Sequence, residues 1–484
     1  MAAVISRLRQ LSTPVWILVG MVAMHVAVYG HLKWAMHANY GTFGFDMGIY
    51  DQGIWLLSKF ENPFVTVRGL HLLANHVDPI WLLFVPFYWL GAGPIFLSVV
   101  QTAWIAAGAI PLWLIGRDGM GNEWRALALP AAWLLNPSLI WINWFHFHPE
   151  ALAATPLLFA WWFATRSQWR WMALSLLLAV ATKESVAMAV FMFGLVVAWR
   201  WNRRIGLVTT ASALVWFFVA TRVIIPLAND GEGPHYTGLY GPWGDSAGEI
   251  AMNVATHPGD LADTITSEDR QDYYQQLLAP LGGVPLLAGG VLVVAAPQVL
   301  VNVISTHSLT YSIRFQYSTV VVAVLFLAAA NVVIWRRRAG QQRFLLGLVL
   351  AAALASNVAW APSPVFGREF SEGLWAVNPG PDDVATTEVL SLIPDDAGVS
   401  ATYSIVPQLT HRTDIYEWPN PFRVSYWGVE GERTHSPERA EWLVLRKSQM
   451  GSETSELLGQ LLETDYQTVV DNDHLVVAQR RSVD

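Results

Sequence analysis

The stretches FGFDMGIYDQGIW, LANHVDPIW, NWFHFHPEALA and ATKESVAM set titratable side chains beside long apolar runs. They carry Asp46 and Asp51, His76 and Asp78, His146, His148 and Glu150, and Lys183 and Glu184. Residues two apart in an extended segment point the same way, so His146 and His148 can face one site. They could bind a divalent cation with Asp46 or Asp78, hydrogen-bond a phosphate, or shuttle a proton. His76 and Asp78 share that spacing and could be metal ligands or a base pair. Lys183 and Glu184 are adjacent, so on a helix they diverge by about 100° and do not pair. Lys183 suits a phosphate as a point charge. Arg314 in THSLTYSIRFQYS, with Tyr311 and Tyr317 near it, and Arg222 near the end of an apolar run are further phosphate candidates.

Each cluster also has a plainer reading. Met47, Tyr50, Ile54 and Leu57 recur at spacings of three and four, which suggests a short amphipathic helix lying on a membrane surface. Asp46 stands where it could cap that helix. Asp51 lies about 140° further round, so the two carboxylates do not share a face. His76 and Asp78 precede Pro79, and His148 precedes Pro149; both prolines suit the first position of a helix. Glu150 in a first turn is favoured by the helix dipole whatever else it does. The cations could also pair internally with Glu184 or Glu150. Lys183 and Glu184 fit the plain reading worst, because they sit between two short apolar runs. Ionisable groups at membrane depth are costly and usually functional.

The elements that must position these side chains are membrane helices. The chain is 54% hydrophobic and 14% charged, with 25 Trp and no Cys, whereas globular domains run at about 25% charged. So few charges cannot cover such a core in water. Apolar runs that reach or approach the roughly 20 residues needed to span a bilayer fall at 14–33, 94–116, 124–142, 149–165, 170–182, 185–199, 205–227, 317–335 and 342–360. The stretch 283–304, interrupted by Gly289, Gly290 and Pro297, reads as two half-helices that enter and return. The total is about eleven membrane segments. The first run is too long for a cleavable signal and reads as a retained helix.

Arg7 and Arg9, Arg117 and Arg125, Arg166 and Arg170, Arg200, Arg203 and Arg204, and Arg336, Arg337 and Arg338 fall on one side of these spans. The positive-inside rule makes that side cytoplasmic, with Lys33 and Arg222 as minor exceptions near outer ends. The chain is then a multi-pass protein of the plasma (inner) membrane with a cytoplasmic N-terminus. Its titratable clusters share the outer face, in a first outer loop over 35–93 with surface helices, in later turns, and beside a long outer loop over 228–282.

The composition changes after residue 360. Residues 361–484 hold 20 Asp and Glu against 9 Lys and Arg, net −11, while the first 360 hold 17 against 20, net +3. GVSATYS, AEWLVLR, YQTVV and HLVVAQR read as strands, the last two joined through Asp471-Asn472-Asp473 in a hairpin turn. ETSELLGQLLE reads as an amphipathic helix. The tail is a small α/β domain outside the membrane, and its acidity makes it a poor partner for nucleic acid or anionic lipid. The chain has no P-loop, dinucleotide fingerprint, G-x-S-x-G or H-E-x-x-H, which disfavours nucleotide-driven pumping.

FDMGIYDQGIW, HVDPIWLLFVPFYWLGAGPIFLSVVQTAW, FHFHPEALA and ATKESVAM, in that order, resemble the bacterial and archaeal membrane-protein family called domain of unknown function 2079. VSATYSIVPQLTHRTDIYEWP resembles that family's C-terminal region. The family in turn resembles GT-C glycosyltransferases. The resemblance implies sugar transfer from a polyprenyl-phosphate sugar to an envelope lipid, glycan or protein on the outer face. It matches Asp46 to the acidic position soon after the first span, here in Phe-Asp-Met rather than in a pair of acids, so metal use and the identity of the base stay open. A carboxylate base takes the acceptor proton: Asp46 first, with Asp51 or Glu150 behind it. Lys183, Arg314 or Arg222, with His76, His146, His148, Glu184 and Tyr317, would surround the substrate and its phosphate. The competing classes are a lipid or solute transporter, disfavoured by span centres nearly free of charge and the lack of a clear repeat, and a non-catalytic envelope assembly protein.

Overall fold

An apolar run opened by Pro14 forms the 26-residue helix Thr13–Ala38, long enough to cross the hydrocarbon core. The structure, a computed structural model, describes residues 11–426, 428 and 431–481. Arg7 and Arg9, read above as flanking the first span, lie outside the described residues. Four more helices are long and apolar enough to span: Pro94–Met120, Arg203–Ala228, Gln316–Trp335 and Ala339–Trp360. Two segments are bent, Glu123–Leu134 with Pro137–Trp144 by 46°, and Glu268–Leu281 with Val284–Leu292 by 87°. Asn136 sits at the first bend and accepts from the amides of Ser138 and Leu139. Gly282 and Gly283 turn the second at positive φ, which glycine adopts without steric cost.

The expected eleven segments therefore resolve, among the described residues, into five full-length helices, or seven if each bent pair is one span. Ala154–Thr165, Trp169–Val180 and Val186–Arg200 are shorter. The stretch 228–282 is not simply a loop. It carries the helices Ala247–Thr256, Pro258–Ile265 and Glu268–Leu278.

The helices run alternately between two ends. Arg117, Arg166, Arg200, Arg203 and Arg336 stand at or next to helix termini at one end, where Arg117 and Arg166 share Asp118. At the other end lie the last turn of Thr13–Ala38, the exit of Pro137–Trp144, the junction between Trp169–Val180 and Val186–Arg200, and the start of Gln316–Trp335. All the chemistry-bearing clusters gather at this second end.

After Trp360 the chain builds a mixed sheet over that end. Counting the small hairpin β1 (Phe64–Val65) and β2 (Leu70–His71) of the first loop, its strands are β3 (Val399–Ala401), β4 (Ile415–Glu417), β5 (Trp442–Arg446), β6 (Tyr466–Asp471) and β7 (Leu475–Arg480). Their order is β4-β3-β5-β7-β6, with β3 parallel to β4 and β5, and β7 antiparallel to β5 and β6. Four strands and the helix Ser452–Thr464 lie where alternation and amphipathicity put them. β4 is three residues long, too short to alternate visibly, and the helix Pro381–Leu390 was not foreseen.

The first loop does not present its helix to a membrane surface by one buried face, as the spacing suggested. In Ile49–Ser58, residues Ile49, Tyr50, Asp51, Gln52, Ile54 and Leu56 are all buried, because the C-terminal sheet covers the side that the bundle leaves open. Met47, Ile54, Val406, Ile415 and Val444 belong to one apolar cluster. The polar groups of this seam are paired as burial requires. Thr66 Oγ1 donates to the Ile415 carbonyl at 2.7 Å and accepts from its amide at 3.1 Å, covering the outer edge of β4. Gln52 Nε2 donates to Thr66 Oγ1 at 2.8 Å and to the Arg412 and Thr413 carbonyls. Asp51, fully removed from solvent, accepts from Tyr88 at 2.6 Å and from Thr410 at 2.5 Å, and meets His411 Nε2 at 3.1 Å.

Replacing Asp51 by Ala strands the Tyr88 and Thr410 hydroxyls, at a cost of about 1–3 kcal/mol for buried polar groups left unpaired. The expected result is a lower thermal midpoint for the detergent-solubilised chain, with faster proteolysis inside 399–417. An unaltered midpoint and digest would refute the role of Asp51 as the anchor of this seam.

Candidate functional site

The loop after the first helix reaches the cluster through a rare backbone geometry. Asp46 has φ 68° and ψ −79°, close to the strained γ-turn region that few non-glycine residues enter. Such conformations persist only where surroundings over-determine them, and they concentrate at functional sites. The geometry takes Asp46 away from the cap position expected for it, and no side-chain cap forms there. Its carboxylate instead meets His148 Nε2 at 3.1 Å.

His148 Nδ1 lies 3.0 Å from the His146 carbonyl, which can only accept, so Nδ1 carries a proton. The Asp46–His148 contact then shares one further proton between carboxylate and imidazole. Burial opposes the charge on Asp46, but the imidazoles of His148, His146 and His76 hold its carboxyl below the usual carboxylate range. Among the described residues, the second oxygen of Asp46 has no protein partner.

His146 is buried between aromatic rings, with Phe43 edge-on at 4.6 Å and Phe145 at 5.1 Å. Neither of its ring nitrogens has a hydrogen-bond partner, and burial pushes its imidazole down to about 3, so it is neutral. The segment holding both histidines is pinned from the first helix. Lys33 Nζ donates to the carbonyls of Trp144 and Phe145 at 3.1 and 2.8 Å, meeting carbonyls that the end of Pro137–Trp144 leaves open. Gln101 supports the same turn by donating to the His146 carbonyl and accepting from the His148 amide.

Lys183 and Glu184 diverge as adjacency requires. Lys183 Nζ donates to Glu150 Oε2 at 2.7 Å and stands 5.1 Å from the Tyr317 ring centre. Burial works against its charge, but Glu150 holds its ammonium above the usual range. Glu150 keeps its other oxygen buried and unpaired. Tyr317 lies within electrostatic reach of Lys183, Glu150 and Asp46, which links this pair to the Asp46 group. Glu184 turns the other way, to His76 Nδ1 at 3.1 Å and the Val77 amide at 3.0 Å, and it also accepts from Tyr236. Burial opposes its charge, yet His76 and Lys183 hold its carboxyl down to about 2.

The remaining sequence candidates fall in different places. Asp78 accepts from Tyr50 at 2.8 Å and Trp81 at 3.0 Å, and burial pushes its carboxyl up to about 6. Asp51 is enclosed in the seam to the C-terminal sheet, with both oxygens engaged. Arg314 is half exposed, stacks on Trp141 at 4.5 Å and faces Glu369 at 3.5 Å. Arg222 lines a surface cleft with Pro226, Leu227 and Asp230, within electrostatic reach of Tyr236. The donor set suggested for a divalent cation, Asp46, Asp78, His146 and His148, is not assembled. Among the described residues no three His, Asp or Glu side chains are grouped to hold a metal ion.

Sequence reasoning passed over two residues. Lys33 was visible only as a charge near the end of a span. Glu417, on β4, packs its carboxyl against Gly44, with Oε2 3.0 Å from where a Gly44 Cβ would stand, and burial pushes that carboxyl up to about 7. Nothing in the tail's pattern marks Glu417 as part of a site.

The chain is similar in fold to ArnT from Cupriavidus metallidurans. The crystal structure of that protein in the apo state aligns at 12% identity with a TM-score of 0.54, over 96% of this chain and 98% of the other. The structure of the same protein bound to undecaprenyl phosphate aligns over the same shares at 14% identity with a TM-score of 0.46. No curated protein matches by sequence. Fold and helix content define a helical membrane protein with an architecture like that of ArnT. The family model for predicted membrane proteins DUF2079 matches residues 37–477, and the chain belongs to that family.

Two outcomes follow from the buried charges. Lys183→Met leaves Glu150 buried without a counter-charge, a loss of about 3–5 kcal/mol; combining it with Glu150→Gln restores most of the thermal midpoint, and no recovery would refute the pairing. Because Glu184 titrates lower when folded than when unfolded, its stabilisation is complete above about pH 4.5 and is lost as pH falls towards about 2. A melting series from pH 6 to pH 2.5 should therefore be flatter for Glu184→Gln than for the wild type.

Proposed function

We propose that the chain is a membrane glycosyltransferase that moves a sugar from a polyprenyl-phosphate donor to an envelope lipid, glycan or protein acceptor. The fold likeness supports a transferase at the level of architecture. The observation that carries the reading is Asp46: a carboxylate on a strained backbone, tied by one oxygen to His148 and open at the other, inside a cluster of buried charges.

The chemistry is a displacement at the anomeric carbon. An acceptor oxygen bonds to that carbon while the bond to the donor phosphate breaks, and the electron pair leaves with the phosphate. The acceptor proton passes to the open oxygen of Asp46, a general-base step. His148 fixes the orientation of that carboxylate. The Lys183 ammonium, with donors beyond the one spent on Glu150, meets the charge growing on the phosphate. Neutral His146 offers one donor and one acceptor to a hydroxyl. Arg222 and Arg314 lie further out and would meet the donor only if it extends to them.

Orientation belongs to the same reading. The arginine-lined ends of the helices face the cytoplasm under the positive-inside rule. The cluster and the C-terminal sheet then face outward at the plasma membrane, where a lipid-linked donor needs no nucleotide site.

The test is transfer of radiolabel from polyprenyl-phosphate sugars to envelope lipids by the purified chain. Asp46→Asn should lower the turnover by about 10²–10⁴, the usual worth of a general base, while keeping the thermal midpoint. Saturable solute uptake into vesicles, with no transfer from any donor, would point to a transporter instead.

A further inference from the structure

At the arginine-lined end, opposite the titratable cluster, a groove of about 420 Å³ opens on the flank of the bundle. It runs between the first helix at Met21, the segment Glu123–Leu134 at Trp124 and Ala128, and the helix Ala339–Trp360 at Gly347. Its wall is apolar, and no Asp or Glu is among the described residues that line it. Two cations stand at its mouth, Arg125 and Arg343, each near the start of its own helix. Arg125 is aimed. Its Nη1 donates to Oε1 of Gln342, a buried side chain whose Nε2 donates in turn to the Arg336 carbonyl at 2.7 Å. Arg343 is exposed, and among the described residues its guanidinium has no hydrogen-bond or ion-pair partner. Trp124 stands beside them with 59% of its surface exposed, a residue type that bilayer interfaces favour.

Hydrocarbon alone would satisfy the apolar wall. It would leave two guanidinium groups at the headgroup level with no acid of the groove to meet them. Basic pockets between membrane helices take anionic headgroups, and the guanidinium fork matches phosphate oxygens in pairs. We propose that this groove is a binding site for an anionic glycerophospholipid, with its phosphate on Arg125 and Arg343 and one acyl chain laid along the groove past Gly347. The backbone there is open to such a chain, since a Cβ on Gly347 would meet nothing within 4 Å. A polyprenyl-phosphate donor is the poorer occupant. The helix continues from Arg343 to Trp360 for about 25 Å, so a phosphate held here is far from Asp46. A seated lipid would instead tie the first helix to Ala339–Trp360, which leads directly into the C-terminal region.

This site is independent of the transferase reading. The test uses the full chain, purified and stripped of lipid in a neutral detergent. Phosphatidylglycerol or phosphatidylcholine with the same acyl chains is added, and bound lipid is counted by native mass spectrometry. The wild type should take up one phosphatidylglycerol at a half-saturating concentration at least tenfold below that for phosphatidylcholine. Arg343→Gln should cut this preference below threefold. Arg204→Gln removes an equal charge from an exposed position at the same end, outside the groove, and should keep the preference. Gly347→Leu keeps both arginines, fills the groove and should weaken phosphatidylglycerol binding at least tenfold. Equal uptake of the two lipids by the wild type, equal losses in Arg204→Gln and Arg343→Gln, or wild-type binding in Gly347→Leu overturns the site. Displacement of phosphatidylglycerol by an equal or lower concentration of polyprenyl phosphate overturns the choice of occupant. So does a dimer of the wild type that takes up no lipid and that Gly347→Leu converts to monomer.

Discussion

The structure turns on a seam in which buried polar groups must find partners. The first loop carries Asp51, Gln52 and Thr66, and each is nearly or wholly removed from solvent. A carboxylate in that position is tolerable only when paired and hydrogen-bonded. Its partners come from the C-terminal region, through Thr410 and His411, and from Tyr88. The first loop and the C-terminal sheet therefore fold as one body on top of the helical bundle, with a shared apolar cluster between them. A sheet attached only by its linker would leave Asp51 without Thr410 and His411, and Thr66 without Ile415.

That body sets the geometry of the cluster below it. The Asp46 loop is held from two sides: from the helical bundle through His148, and from the C-terminal region through the Tyr403 carbonyl, which accepts from the Gly44 amide. Lys33 holds the histidine segment by its carbonyls and so keeps His148 in place. The second group, Lys183 with Glu150 and Glu184 with His76, closes a ring of compensating charges in which each acid has a cation or donor beside it. An interior of this kind is strongly ordered, because any displaced member leaves a buried charge alone.

The arrangement also separates residues with open hydrogen-bonding positions from residues that hold segments together. Asp46, His146 and Lys183 retain unspent hydrogen-bonding capacity. Asp51 and Asp78 have both carboxylate oxygens engaged by buried donors. Similar residue types thus keep open hydrogen-bonding positions in one place and hold segments together in another, and the difference lies in how many partners have already been met.

The sequence alone determined the elements. Apolar runs of spanning length, prolines at helix starts and alternation in the tail are local patterns, and each is visible without knowing what lies across the molecule. The adjacency of Lys183 and Glu184 even fixed that they would point apart. The partners were decided by tertiary structure. Nothing near Asp51 in the chain foretells Thr410, and nothing near Gly44 foretells Tyr403, because attraction between charges and donors depends on distance through space. The strained backbone at Asp46 is the clearest case. A φ of that kind is not preferred by its own residue, so it arises only where contacts from distant segments outweigh the local preference that a sequence reading relies on.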